Sequence, residues 1–224
     1  MYPDRYKRNF PAISEAEQEI LKSKTVSVIG CGGLGGNIID SLARVGVGCI
    51  RVIDCDEFSE SNLNRQLLSS EKNLGKRKAK EAAKRIKLIN SEVKVKVVDK
   101  MLCKENAVKI LKGSDIVVDA MDNIEGRFIA ADACAELGIY FIHGAISGWC
   151  AQASTVAPGS DFLSKIYPRD VKLSPPSVLS FAPGFAAGVQ VSETLKVLLG
   201  YEDTLENKLF IADLKNDTFN VIDF

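Results

Sequence analysis

Gly30-Cys31-Gly32-Gly33-Leu34-Gly35 reads as G-x-G-x-x-G, directly after the β-branched run Thr25-Val26-Ser27-Val28-Ile29 and at the start of a helical stretch reaching about Val45. No other feature restricts the fold as much. Glycines let a strand turn sharply into a helix, and free N–H groups at the helix start favour negative charge. A second strand, Cys49–Ile53, ends at Asp54, 24 residues after Gly30. A carboxylate there can accept hydrogen bonds from ribose hydroxyls. Together these features predict a nucleotide site. The alternative is a tight strand–helix junction whose glycines serve packing alone.

The remaining pattern extends this layout. Ser14 and Glu17 fit a capping box opening a short helix to about Lys22. Residues 55–74 are polar and predict an irregular crossing with one short helix. A helix from about Lys76 to Leu88 follows, with Ala79, Ala82, Ala83, Ile86 and Ile89 on one side. Val93–Val98 alternates as a half-exposed strand, and helix 104–112, strand Asp115–Asp119, helix 124–137 and strand Ile139–Ile142 continue the series. Such alternation implies a Rossmann-like α/β fold, a mainly parallel sheet with helices on both faces. Further on come a strand at Cys150–Val156, an irregular stretch 158–176 with Pro158, Pro168, Pro175 and Pro176, and a helix from about Ala186 to Leu199. Two short strands near 208–212 and 217–223 can pair as an antiparallel hairpin around Lys215-Asn216-Asp217. With no repeat or linker, the chain is read as one domain. It comprises an amino-terminal helical arm (1–24), a nucleotide-binding core (25–145), and a region (146–224) of strands, crossing loop and helix completing the sheet.

Composition excludes several classes. The 224 residues carry 29 Lys+Arg against 29 Asp+Glu, so no basic excess is left for a nucleic-acid backbone. No apolar run reaches the roughly 18–20 residues that a membrane crossing needs, and the first eight residues lack the apolar core of a signal peptide. The six cysteines form no C-x-x-C pair and are read as reduced thiols of a cytoplasmic protein.

The next question is which nucleotide. A dinucleotide's pyrophosphate can be held largely by a helix start. Here, however, Asn62, Asn64, Arg65, Gln66 and then Lys78 follow Asp54. Such side chains suit a triphosphate with about four negative charges, accompanied by magnesium. The only histidine, His143, ends a predicted buried strand and reads as a core residue, which weakens a hydride-transfer reading. Ligands of open parallel sheets bind outside the carboxyl ends of the strands. Asp54, Asp56, Asp119 and Asp122 should therefore share one edge, where carboxylates can hold ribose and a hard cation. Asp122 or Asn123 can equally cap the helix that follows, and both roles are compatible.

The chain resembles the ubiquitin-activating-enzyme superfamily, specifically its small MoeB/ThiF/HesA adenylyltransferases. The matching elements are Arg5-Tyr6-Lys7-Arg8, Gly30 to Gly35, Gly46-Val47-Gly48, Asp54-Cys55-Asp56, Ser61-Asn62-Leu63-Asn64-Arg65-Gln66, Gly75 with Lys78-Ala79, Asn90, Asp119, and Asp122-Asn123 with Arg127. Weaker similarity runs through Gly144, Gly148, Gln152 and Lys196–Gly200. The resemblance implies that Gly32, Gly33 and Gly35 form the turn at the nucleotide and that Asp54 binds ribose. Asn62, Arg65 and Lys78 would contact phosphates, with Asp56, Gln66 and Asn123 among the nucleotide-binding residues. Asp122 would coordinate magnesium or orient the reacting phosphate, and Arg8 would reach the site of a neighbouring subunit in a homodimer. The implied reaction is ATP-dependent adenylation of the Gly-Gly carboxyl terminus of a ubiquitin-like sulfur carrier of the ThiS or MoaD type. Adenylation of another acceptor, such as a tRNA base, and a non-catalytic partner subunit are the alternatives.

Two departures stand out. Many relatives hold a structural zinc with two C-x-x-C pairs. Here Phe162-Leu163-Ser164-Lys165 occupies the place of the first pair and no second pair follows, so no zinc site is expected. The cluster Phe162, Leu163, Ile166 and Tyr167 is expected to take over its stabilising role. The crossing stretch Lys172–Val178 also lacks the cysteine some relatives use covalently, and Cys150, the nearest thiol, is expected to be buried. Pro183-Gly184-Phe185 could border a groove for the carrier's tail, or simply start a packed helix. Trp149 and Phe181 are open between carrier contact and core packing.

Overall fold

The structure is a computed structural model that describes residues 3–167 and 177–224. Five parallel strands come first in the chain: β1 (Thr25–Ile29), β2 (Cys49–Ile53), β3 (Lys94–Val98), β4 (Ile116–Asp119) and β5 (Tyr140–Ser147). Three antiparallel ones follow: β6 (Cys150–Val156), β7 (Lys208–Asp213) and β8 (Thr218–Asp223). All eight form one sheet in the order β3-β2-β1-β4-β5-β6-β7-β8. The expected Rossmann-like core with antiparallel carboxyl-terminal strands is what the chain adopts.

The helices are α1 (Glu15–Ser23), α2 (Gly33–Val45), α3 (Lys78–Ile89), α4 (Ala107–Leu111), α5 (Ile124–Leu137), α6 (Phe162–Ile166) and α7 (Phe181–Leu199). Two apolar clusters lie on opposite faces of the sheet. On one, Ile38, Leu42, Ala82, Ile86 and Val191 of α2, α3 and α7 meet Val26, Val28, Ile50 and Val52. On the other, Leu111, Phe128, Ala130, Phe162 and Leu163 of α4, α5 and α6 meet Ile29, Ile53, Val117 and Phe141. Strand residues alternate between the clusters, as a period of two requires. The face changes between β1 and β4, whose crossover helices leave in opposite directions. That switch point is where an open α/β sheet forms its ligand crevice.

Local signals were mostly met. Glu17 N donates to Ser14 Oγ (3.2 Å) and Ser14 N to Glu17 Oε2 (2.6 Å), the expected capping box. The crossing 55–74 holds two short 3₁₀ turns, Glu60–Asn62 and Glu71–Asn73, rather than one helix. Helix α7 starts at Phe181, five residues before the expected Ala186. Pro183 is admitted because it falls in the first turn, where an amide hydrogen has no intrahelical acceptor. Strand β5 continues to Ser147, past the expected end at Ile142, because Ser147 pairs with Cys150 in a tight hairpin to β6. Phe162 and Leu163 are buried, with Ile166 and Tyr167 packed against the same cluster. Pro168, Pro175, Pro176 and most of Lys172–Val178 lie outside the described residues.

The sheet's two borders differ. Strand β3 exposes Lys94 and Lys96. On β8 every residue is exposed, including Phe219, Val221 and Ile222. No helix of the described residues is long and apolar enough to cross a membrane.

Candidate active site

The glycine turn lies at the carboxyl ends of β1, β2 and β4. Gly30 N donates to Ile53 O (2.8 Å), and Ala120 N, just past β4, donates to Ile29 O (2.9 Å). Gly30 has φ +98°, and a Cβ there would stand 2.4 Å from Ala120 O. A Cβ at Gly35 would stand 1.8 Å from Gly30 O. These two glycines are therefore required by close backbone approach. Gly32 and Gly33 are less confined, with their nearest contacts at 3.5 Å (Gln66 Nε2) and 3.3 Å (Pro183 Cγ). The first hydrogen bond across the start of α2 is Gly36 N to Gly32 O, so the amides of Gly33, Leu34 and Gly35 lack an intrahelical acceptor. That is an anion-binding helix start.

Asp54 is fixed beside it. Its Oδ2 accepts from Cys31 N (2.7 Å) and its Oδ1 from Asp56 N (2.7 Å), leaving lone pairs on both oxygens. Burial pushes its pKa up, opposed by these two amides and by the charge of Lys78. Burial, and then Asp54, also push the Cys31 thiol well up, so it is an inert packed group. Lys78, the first residue of α3, is buried yet reaches Asp56 Oδ2 at 3.1 Å. Its backbone N also donates to Asp56 O (2.9 Å), which ties the start of α3 to the end of β2.

The crossing 55–74 closes the far side. A Cβ on Gly33 would lie 3.7 Å from Arg65 O, and Gln66 sits beside Gly32. Arg65 Nη1 donates to Ser61 O and Asn64 Oδ1, both at 2.8 Å, and the side chain has no carboxylate partner among the described residues. Asn62 is buried, and its Oδ1 accepts from Ser59 N (3.0 Å), shaping the 3₁₀ turn. Gln66 is buried and its Oε1 has no hydrogen-bond partner among the described residues. The free helix-start amides, Asp54 and the two cations together fit a nucleoside polyphosphate.

On the third side, Asp122 and Asn123 follow β4. Asn123 caps α5, its Oδ1 accepting from Gly126 N at 2.7 Å. Asn123→Ala should therefore lower stability by about 1 kcal/mol in urea unfolding. Asp122 is exposed and has no cationic partner among the described residues, which leaves its carboxylate for a ligand. Among the described residues no three His, Cys, Asp or Glu side chains group as a metal site. A lone carboxylate still suits magnesium, which keeps most of its shell as water and phosphate oxygens.

Two expectations change, and one open alternative narrows. Asp119 stands at the same edge but is fully buried, its carboxylate held by Arg127 (3.0 Å) and His143 (2.8 Å), so it is unavailable to ribose or a cation. Cys150, expected to be buried, is exposed because it opens β6 beside the hairpin turn. Trp149 and Phe181 are not core residues; their rings meet at a tilt on the surface, with centroids 4.9 Å apart. His143 is the buried, hydrogen-bonded histidine anticipated.

Arg8 is not brought to this site. Its exposed 3₁₀ segment, Asp4–Asn9, is anchored by Tyr6, whose hydroxyl accepts from Asn90 Nδ2 (2.7 Å) at the carboxyl end of α3. Tyr6 also fills the space above Gly46, at the carboxyl end of α2. Helix α2 therefore separates the arm from the glycine turn by roughly 20 Å. Pattern reading also missed Gln190, whose Nε2 reaches from α7 to Asp119 O (2.7 Å) and Ile142 O (3.2 Å). A polar residue in a helix otherwise rich in Ala and Val was the only signal.

The fold is that of a Rossmann-like α/β protein with Lys78 and the Arg65 segment beside the crevice at its glycine turn. Over residues 6–224 the chain matches the ThiF family, and it belongs to that family. It is 34% identical over 229 residues to the SAMP-activating enzyme E1 of Haloferax volcanii, covering 99% of this chain and 85% of that protein. With the sulfur carrier protein adenylyltransferase of Thermus thermophilus it shares 33% identity over 230 residues, covering 96% of this chain and 85% of the other. Other relatives are longer, the chain spanning 55–60% of their length. Among solved structures, E. coli MccB with ATP superposes with a TM-score of 0.83 at 24% identity, over all of this chain and 71% of that one; this is a likeness of fold.

Proposed function

We propose that this chain uses ATP to adenylate the carboxyl-terminal Gly-Gly carboxylate of a small ubiquitin-like sulfur carrier, releasing pyrophosphate. The observation that carries the proposal is the convergence of the glycine turn, Asp54, Lys78 and the Arg65-Gln66 segment on the carboxyl ends of β1 and β2. The names of the Haloferax and Thermus relatives support the reaction and the substrate class.

The chemistry suits these groups. A carboxylate is ionised at neutral pH and attacks the α-phosphorus without a general base. Its new bond to phosphorus forms as the bond to the bridging oxygen breaks, and pyrophosphate leaves with that electron pair. Catalysis then consists of alignment and of cations facing the developing charge. Arg65 and Lys78 supply the charge, Gly32 to Gly35 the amides, and Asp54 the ribose contact, with Asp56, Asn62, Gln66 and Asn123 shaping the walls. Asp122 would hold magnesium, which when bound offsets phosphate charge. Arg8, far from the crevice of its own chain, would complete that of a second copy in a homodimer. The Trp149–Phe181 pair offers the carrier an apolar contact close to the crossing segment, where Asn64 Nδ2 donates to Val178 O (3.1 Å).

ATP–pyrophosphate exchange with a panel of Gly-Gly-ended carriers from the same organism tests this directly. Exchange is expected with one carrier, and its absence with all of them would refute the proposal. ATP with magnesium at a hundredfold excess over Kd should add about 2.7 kcal/mol of stability, raising Tm by about 5 °C or more. NADH should give no such shift. Protection by NADH alone would revive the dehydrogenase reading.

A further inference from the structure

Beneath the Asp122 turn lies a polar network with no role in phosphate binding. Its centre is the Asp119 carboxylate. Oδ1 accepts from Met121 N (2.9 Å); Oδ2 accepts from Arg127 Nε (3.0 Å) and His143 Nδ1 (2.8 Å). The Arg127 guanidinium also donates through Nη2 to Met121 O (2.8 Å) and through Nη1 to the Tyr167 hydroxyl (3.3 Å). It lies over the Tyr167 ring, 5.4 Å from its centroid. Met121, the residue before Asp122, is thus clamped at both its N–H and its C=O by one ion pair.

Hydrogen-bond bookkeeping fixes the protons. The carboxylate of Asp119 can only accept, so His143 carries its hydrogen on Nδ1 and presents a lone pair at Nε2. That lone pair faces the Tyr167 hydroxyl at 3.2 Å and Gln152 Nε2 at 3.1 Å, and Gln152 also bonds the Tyr167 hydroxyl. Burial lowers the His143 pKa and pushes Tyr167 up to about 12, so both stay neutral. For Asp119 burial acts upward, but Arg127 and His143 outweigh it and hold the carboxyl below its usual range.

We propose that Tyr167 and His143 are positioning residues for adenylation, holding the Met121–Asp122 turn through Arg127 and Asp119 and so setting turnover rather than ATP affinity. The inference rests on the reaction proposed above. The split between turnover and affinity follows from topology. The side chains proposed to contact ribose and phosphate, Asp54, Arg65 and Lys78, lie on the β1 and β2 side of the crevice, whereas the network, which also ties in β5 and β6 through His143 and Gln152, reaches the site only at the turn after β4 that carries Asp122.

Tyr167→Phe removes one hydroxyl and keeps the ring over the guanidinium. Its exchange kcat should fall about tenfold with KM for ATP within twofold of wild type. His143→Asn, which can keep a donor toward Asp119, should retain more turnover than His143→Ala. Because His143 is the only histidine, its imidazole nitrogen signals are unambiguous in NMR. They should report the Nδ1–H tautomer. Tyr167→Phe should move the Nε2 signal and the Met121 and Asp122 amides. An unchanged kcat, or a KM that rises in step with the loss, overturns the proposal. If wild type exchanges with no carrier, the proposed reaction fails. Unmoved Met121 and Asp122 amides in Tyr167→Phe overturn the positioning role whichever way that assay reads.

Discussion

Lys78→Ala should lower ATP–pyrophosphate exchange by about 10²–10³-fold while leaving the fold almost untouched. The rate effect corresponds to losing one preorganised charge at a developing negative centre, about 3–4 kcal/mol. The stability effect stays well below the rate effect because Asp56 does not depend on the pair; what is lost is the buried stem of Lys78 and the charge that eases the burial of Asp54. Asp56 is 63% exposed at its side chain, so water replaces the ammonium when the lysine is removed. Exchange assays and thermal melts on the same preparation separate the two. Near-normal exchange, or a drop in Tm of more than a few degrees, would mean that Lys78 is a structural residue. Arg65→Ala should behave similarly, since its present partners are a carbonyl and an amide of its own loop.

The largest loss of stability is expected from a single methyl group. In Gly35→Ala the new Cβ would lie 1.8 Å from the Gly30 carbonyl oxygen and 2.7 Å from its carbon. Both are backbone atoms in a strand–helix junction, so the turn itself must move. A cost of about 3 kcal/mol or more is expected. Gly33→Ala is the control. Its Cβ would meet the Pro183 ring at 3.3 Å and Arg65 O at an ordinary 3.7 Å, and alanine favours the helix it begins, so the change should stay within about 1 kcal/mol. Urea unfolding of the two variants decides. Equal midpoints would show that the junction is more pliable than its contacts imply.

These two substitutions also illustrate how far the sequence could be read. The motif from Gly30 to Gly35 predicted a turn and a ligand; the turn is present, and the packing reading holds at two of its glycines. Gly30 and Gly35 serve close approach, while Gly32 and Gly33 border the crevice. Strands β1, β2 and β6 and helices α2 and α5 were legible to the residue, since β-branched runs and glycine C-caps mark their ends. The early start of α7 was hidden by Pro183, which a pattern reads as an interruption. What was not legible is tertiary. The burial of Asp119 depends on Arg127, eight residues away, and on His143 and Tyr167, brought in from a neighbouring strand and from the end of α6. No local periodicity encodes that meeting. The exposure of Cys150 was equally invisible, because it depends on how a two-residue hairpin presents the start of β6.

The contrast between the two borders of the sheet affects how the protein should be handled. Lysines on β3 discourage a foreign strand by charge, whereas β8 offers open main-chain groups framed by Phe219, Val221 and Ile222. Uncontrolled stacking in a concentrated preparation would therefore begin at that unguarded margin, and a single lysine placed there is the natural remedy for poor solubility.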